Sequence, residues 1–232
     1  MIEIKNLHKS FGSKKVLNGV NLTIEQGETI VIIGRSGCGK SVLIKHIVGL
    51  LNPDDGYVKV EDKIVNNLPQ NELYELRKKF GFLFQGAALF DSMTVQENVS
   101  LPLVESKNGY SSKEINRIVE QKLALVDLEG NLQLKPSELS GGMKKRVALA
   151  RALVTNPSYI LYDEPTTGLD PIMSDSIDLL IKNLSERLNV TSVVVTHDMY
   201  SVKNVAHRVA MMNDGIIYFI GKPEELLTSS DK

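Results

Sequence analysis

Residues 34–41 read Gly34-Arg35-Ser36-Gly37-Cys38-Gly39-Lys40-Ser41. They follow the apolar run Thr29-Ile30-Val31-Ile32-Ile33 and precede Val42, Leu43, Ile44, Ile47, Val48 and Leu51 at helical spacing. An apolar strand, a glycine-rich loop and an amphipathic helix in that order direct the chain toward an α/β fold with a parallel sheet. The glycines let the backbone curl so that several N–H groups point inward, and the following helix adds its positive end. Such a loop holds phosphates: Lys40 can reach the β- and γ-phosphates of a nucleotide as a point charge, and the Ser41 hydroxyl is placed to ligate Mg²⁺. A plain glycine-rich surface turn would not require eight agreeing positions and both flanking elements.

The rest of the chain is consistent with that core. Ile2 and Ile4 alternate with Glu3 and Lys5, and Val20, Leu22 and Ile24 alternate with polar neighbours, which predicts an N-terminal antiparallel sheet. The helix after the loop is expected over residues 41–51, a turn at Asn52-Pro53-Asp54-Asp55-Gly56, and renewed strand alternation over residues 57–65. Ser106-Lys107-Asn108-Gly109-Tyr110 reads as a polar loop before a helix carrying Ile115, Ile118, Val119, Leu123 and Val126. An inserted helical subdomain is therefore expected over residues 86–154, within a core of residues 1–85 and 155–232. Ser140 is placed as the N-cap of a helix carrying Met143, Val147, Ala150, Leu153 and Val154 that stops before Pro157. Short strands at residues 159–162 and 191–195 flank a helix at 173–188, the alternation of a parallel sheet built by right-handed crossovers. No internal repeat is visible, and residues 228–232 read as a frayed tail.

Composition narrows the partners. The 232 residues include 27 basic and 28 acidic side chains, so overall charge makes no case for nucleic acid or anionic lipid as the main partner. A single cysteine, Cys38, excludes an internal disulfide and a cysteine-cluster zinc site, and fits a reducing cytoplasm. Apolar clusters such as residues 30–33 and 216–220 fall short of the ~18–20 residues that a bilayer demands, and no secretory signal pattern opens the chain. Work at a membrane would need spans supplied by other chains.

Three further segments carry chemistry. Tyr159-Ile160-Leu161-Tyr162 ends in Asp163-Glu164; beside a phosphate loop, Asp163 is suited to the Mg²⁺ shell and Glu164 to polarising the water that attacks the γ-phosphate. His197 follows another apolar strand and is expected at the same sheet edge, where open parallel sheets bind ligands. Leu139-Ser140-Gly141-Gly142-Met143 places two glycines in the first turn of a helix, at about 1 kcal/mol each relative to Ala. Two readings stand for it: an anion-binding helix start or a hinge. The run Lys144-Lys145-Arg146, with Arg151, reads as a solvated helix face rather than a nucleic-acid site.

Together, residues 34–41, 139–143 and Asp163-Glu164 make the chain resemble the ATP-binding subunits of ABC transporters over essentially its whole length. The resemblance implies a P-loop NTPase core with an N-terminal antiparallel β-subdomain and an inserted helical subdomain, and it implies ATP and Mg²⁺ as ligands. It assigns Gly34, Ser36, Gly37, Cys38, Gly39, Lys40, Ser41 and Val42 to the phosphate loop, and Phe11 to the aromatic that stacks on adenine. Phe11 beside Gly12 also reads as a core side chain. Gln85 resembles the glutamine that senses Mg²⁺ and the permease, and with Ser41 and Asp163 it completes the metal set. Lys40, Gln85, Glu164 and His197 form the implied catalytic set, His197 being the switch histidine. Ser140, Gly141 and Gly142 resemble the signature that meets ATP held by the other subunit, and Asp170 in Gly168-Leu169-Asp170 the D-loop residue. Met143 stands where Gln is usual, Val42 where a second hydroxyl is usual, and Cys38 lies inside the loop; none of these removes a phosphate ligand.

The family also implies a head-to-tail homodimer with two shared ATP sites, docked on an integral membrane permease at the cytoplasmic face of the inner membrane, with no nucleic acid. Residues 41–50, 83–92, 139–143, 168–173 and 191–199 look most like the Mla-type subgroup, which drives phospholipid transport between bacterial membranes with MCE-domain partners. The alternatives are the ATPase of an importer for amino acids or another small solute, and a non-transport ABC ATPase, whose usual paired ATPase units or long coiled-coil insertion are missing here. An Asn-Lys-X-Asp guanine-reading motif is also missing.

Overall fold

The computed structural model describes residues 1–106 and 109–228. The chain forms β1 (Ile2–Phe11), β2 (Lys14–Ile24), β3 (Thr29–Ile33), α1 (Lys40–Ile47), β4 (Asp55–Val60), β5 (Lys63–Ile64), α2 (Gln70–Arg77) and β6 (Phe80–Leu83). It continues through α3 (Val95–Glu105), α4 (Ser112–Ala124), α5 (Gly141–Leu153), β7 (Tyr159–Asp163), α6 (Pro171–Leu188), β8 (Thr191–Thr196), α7 (Met199–Val205), β9 (Arg208–Asn213), β10 (Ile216–Gly221) and α8 (Pro223–Thr228).

Both expected sheets are present. The first is antiparallel in the order β2-β1-β4-β5, and the second runs β10-β9-β3-β8-β7-β6, parallel except for β10. Strands β3, β7 and β8 are buried along their whole length, which is why they read as continuous apolar runs rather than alternating ones. Their side chains still divide by the period of two. Ile30, Ile32, Leu161, Val193 and Val195 join α1 and the antiparallel sheet in one apolar cluster. Val31, Ile33, Ile160, Tyr162 and Val194 join α3, α4, α5 and α6 in another, so the helices of the 86–154 segment share a core with the sheet.

Several elements differ from the sequence reading. Helix α1 ends at Ile47 rather than reaching Leu51, because Gly49 takes a left-handed φ of 63° and a Cβ there would lie 2.8 Å from Leu73 Cδ1. The strand expected over residues 57–65 divides into β4 and β5 around Glu61, whose φ is 54°. Helix α6 begins at Pro171, capped by Asp170, which accepts from the Met173 N–H at 3.0 Å. Helix α3 was not anticipated, although a capping box announces it: Thr94 Oγ1 accepts from Glu97 N at 3.2 Å and Glu97 Oε2 from Thr94 N at 2.7 Å. Residues 107 and 108 of the expected polar loop and 229–232 of the expected tail lie outside the described residues.

Candidate active site

Strands β3, β8, β7 and β6 lie side by side and parallel, so their carboxyl ends meet at one edge of the sheet. The chain delivers Gly34 after β3, His197 after β8, Asp163 and Glu164 at the end of β7, and Gln85 two residues past β6. Because β8 separates β3 from β7, His197 emerges between the lysine of one loop and the carboxylates of the other.

The phosphate loop closes tightly on its own chain. Gly39 has φ 109°, and a Cβ there would lie 2.8 Å from the Val16 carbonyl oxygen, so only glycine fits. No side chain caps the start of α1, which leaves its first N–H groups to a ligand. Lys40 is 5% exposed; its Nζ donates to the carbonyls of Gly34 at 2.8 Å and Arg35 at 3.3 Å, and lies 3.5 Å from Glu164 Oε1. Ser41 Oγ donates to Asp163 Oδ1 at 2.6 Å. A hydroxyl and a carboxylate converging beside a phosphate loop are the hard oxygen donors that suit Mg²⁺, which takes few protein ligands and keeps the rest for phosphate and water. Among the described residues, no cluster of three or more His, Cys, Asp and Glu side chains is placed to hold a metal ion.

Glu164 is held from several sides. Its φ of 49° is left-handed, a conformation few non-glycine residues adopt, and its N–H donates to the Val195 carbonyl at 2.9 Å. Its Oε2 accepts from His197 Nδ1 at 2.8 Å and from Thr167 Oγ1 at 3.1 Å. A carboxylate acceptor requires the proton on Nδ1, leaving Nε2 directed elsewhere on a ring that is 61% exposed. Lys40, Ser41, Asp163, Glu164 and His197 thus form one contact cluster. Thr167 belongs to it as well, and no motif in the sequence announced it.

The basic run on α5 corrects an expectation. It is a brace, not a solvated face. Lys145 is 5% exposed and donates to the carbonyls of Gln85 and Glu164. Burial pushes its ammonium below the usual lysine range, with the Asp163 and Glu164 carboxylates offsetting part of that. Arg146 donates to the Val126 carbonyl at 2.6 Å, to Asp127 at 2.8 Å and to Ser176 Oγ at 2.7 Å. Arg151 donates to the carbonyls of Ala87 and Ala88, both at 2.8 Å. Three consecutive residues on a helix point about 100° apart, so a charge run cannot all face one way.

The remaining assigned residues stand outside the cluster. Ser140 caps α5 by accepting from Met143 N at 3.3 Å; Ser140 and Gly141 are exposed. Gly142 is buried against the Met173 thioether methyl, and a Cβ on Gly141 would lie 3.2 Å from Leu169 Cδ2, so the glycines let α5 sit close on the start of α6 and the loop before it. Asp170 caps α6 on an exposed loop. Phe11 ends β1 with its ring 49% exposed and Lys9 Nζ 5.7 Å from its centroid, so it is not a core side chain. Val42 and Cys38 pack partly against the α1 side of the sheet. Beyond Gln85, the loop is pinned by buried Asn98, whose amide exchanges hydrogen bonds with the Phe90 backbone and donates to the carbonyls of Met93 and Thr94. Between this loop, β6 and α3 lies an apolar groove of about 620 Å³, lined by Tyr74, Phe82, Phe84, Phe90, Leu101 and Pro102.

Comparison with known proteins identifies this arrangement. Residues 17–167 match the family model described as ABC transporter. The chain is 42% identical over 231 residues to the intermembrane phospholipid transport system ATP-binding protein MlaF of Haemophilus influenzae, covering 100% of this chain and 87% of that protein. It is 44% identical over 226 residues to the methionine import ATP-binding protein MetN of Clostridium tetani, covering 97% of this chain and 70% of that protein. It is 42% identical over 230 residues to the probable ribonucleotide transport ATP-binding protein mkl of Mycobacterium tuberculosis, covering 99% of this chain but only 64% of the relative's length. Among solved structures, a dimeric ATP-binding cassette in a post-hydrolysis state bound to ADP and Pi superposes with a TM-score of 0.88 at 37% identity, covering 96% of this chain and 99% of that one. The chain belongs to the ABC transporter family, as one of its ATP-binding cassettes.

Proposed function

We propose that this chain is the ATP-hydrolysing subunit of a membrane transporter and works as a head-to-tail pair. The observation that carries the reading is the contact cluster of Lys40, Ser41, Asp163, Glu164 and His197 at one sheet edge. Lys40 and the N–H groups at the start of α1 bind and orient the phosphates. Ser41 and Asp163, with Gln85, would hold Mg²⁺, which supplies positive charge to the phosphate oxygens. Glu164 accepts the proton of the attacking water, and His197 Nδ1–H with the Thr167 hydroxyl holds that carboxylate in place. Phe11 offers its exposed ring to the adenine. Ser140, Gly141 and Gly142 of one chain, with Asp170, face the nucleotide held by the other.

No helix among the described residues is long and apolar enough to cross a membrane. The groove beside Phe84 takes a cytoplasmic helix of the permease, at the cytoplasmic face of the inner membrane. The cargo we infer is phospholipid, with an MCE-domain protein in the complex. Overall identity does not separate the relatives named for phospholipid, methionine and ribonucleotide transport, which stand at 42–44%. The inference rests on the Mla-type character of residues 41–50, 83–92 and 139–143.

Two measurements test this. Glu164→Gln is expected to keep ATP binding and lose turnover by about 10²–10⁴-fold, the usual worth of a general base; near-normal turnover overturns that role. Mass spectrometry of proteins and lipids that co-purify from mildly solubilised native membranes is expected to recover a permease, an MCE-domain protein and phospholipid. Recovery of a solute permease overturns the cargo.

A further inference from the structure

Lys145 lies one turn into α5, the helix that opens with Ser140, Gly141 and Gly142. It is as buried as Lys40, at 5% exposure. Lys40 has the Glu164 carboxylate within 3.5 Å, whereas the hydrogen bonds that Lys145 makes go to backbone carbonyls, those of Gln85 and Glu164. Removing an ammonium from water is costly unless its donors are used, so a buried lysine held by two carbonyls needs a reason to be there.

The two carbonyls supply one. They belong to different loops, one leaving β6 and one leaving β7, that meet at the catalytic edge. Glu164 also has the left-handed φ of 49°, which persists only where the surroundings over-determine it. Its N–H is fixed by Val195 at 2.9 Å, while its carbonyl is fixed by Lys145 at 3.3 Å and by the Thr167 N–H at 3.3 Å. Of these partners, Lys145 alone is delivered by the signature-bearing helix.

We propose that Lys145 is a positioning residue: its ammonium clamps the Gln85 and Glu164 backbones together and makes the placement of the general base depend on the placement of α5. A displacement at Ser140–Gly142 is thereby felt at Glu164 through one side chain, and the Gln85 loop moves with it. The proposal rests on the hydrolysis reading above for its kinetic consequence and on geometry alone for its structural one.

The test uses the full chain with Lys145→Met, which keeps most of the stem and removes the donors, and Lys145→Gln, which keeps a neutral donor on a shorter stem and covers the case in which the first variant does not fold. Hydrogen exchange is expected to accelerate by about tenfold or more at the amides of residues 86–88 and of Thr166 and Thr167, with β3 and α1 unchanged, and by less in Lys145→Gln. Turnover is expected to fall by about 10-fold or more with KM for MgATP within about threefold, the pattern of a misplaced catalytic group. Unchanged exchange at both loops, or uniform acceleration across the chain, overturns the proposal, as does weakened KM at unchanged kcat. If the unmodified chain fails to turn over ATP, the hydrolysis reading falls and the exchange result alone decides the role of Lys145.

Discussion

The start of α1 and the start of α5 both carry glycines, but their surroundings are opposite. At α1, Gly39 is pressed against the Val16 carbonyl, Lys40 is enclosed, and Asp163 and Glu164 stand across the loop. At α5, Ser140 and Gly141 are exposed, and only the inner side of the turn is covered, by Leu169 and Met173. One start is walled by its own chain and presents the groups for chemistry. The other is supported from behind and open in front. That difference is the physical basis for proposing that a second copy supplies the other half of the site.

The comparison breaks most sharply by mixing variants. Lys40→Ala is expected to lose nucleotide binding by about 100-fold or more, whereas Ser140→Arg is expected to bind ATP within about threefold of the unmodified chain and still lose most turnover. Neither works alone; an equimolar mixture is expected to regain about a quarter of full turnover, because half of randomly paired dimers hold one site with both halves intact. A mixture as inactive as its components would show that α5 does not serve a partner's site.

A smaller effect sharpens the view that α5 is supported from behind. Arg146 ties α5 to the segment after α4 and to α6 through Val126, Asp127 and Ser176, so Arg146→Ala is expected to cost about 1–3 kcal/mol in urea unfolding, by stranding a buried carbonyl and a hydroxyl. Turnover per folded molecule should change far less than in Ser140→Arg. A variant as stable as the parent would remove the bracing role.

The smallest effect leaves both helix starts alone and moves only the scaffold. Asp178 on α6 is 1% exposed, and burial pushes its carboxyl up to about 6 from the ordinary 3.8. A raised carboxyl means the native state binds the proton more tightly, so this group's contribution is greatest below the ordinary value and declines as pH rises toward about 6. Asp178→Asn is therefore expected to raise the free energy of unfolding more at pH 7.5 than at pH 4.5, the two gains differing by on the order of 1 kcal/mol, with turnover unmoved. An equal shift at both pH values would mean that this carboxyl does not titrate in that window.

Much of this was legible beforehand. The phosphate loop, Asp163-Glu164 and His197 could be read because each lies where an apolar strand stops, and parallel strands deliver their ends to one edge. The two sheets were legible from the change between alternating and continuous apolar runs. Helix α3 carries a readable signal in the Thr94–Glu97 capping box, and the early stop of α1 is signalled by Gly49, although Leu50 and Leu51 continue the helical period past it. Leu50, 48% exposed, shows that period alone does not bury a side chain. The burial of Lys145 is not legible in the sequence, since a run of charges in a linear sequence carries no direction. Thr167 and Asn98 carried no signal at all, being ordinary polar residues whose partners are set by loop paths.

Local chemistry is written in the order of residues. A glycine-rich loop between strand and helix, and acids at a strand's end, depend on backbone geometry that a few neighbours dictate. The pairing of Lys40 with Glu164, the clasp of His197 on the same carboxylate, and the burial of Lys145 between two loops join positions far apart in the chain. Only the strand order of the sheet brings those positions together, because loop-closing contacts depend on which strands become neighbours and not on the residues between them.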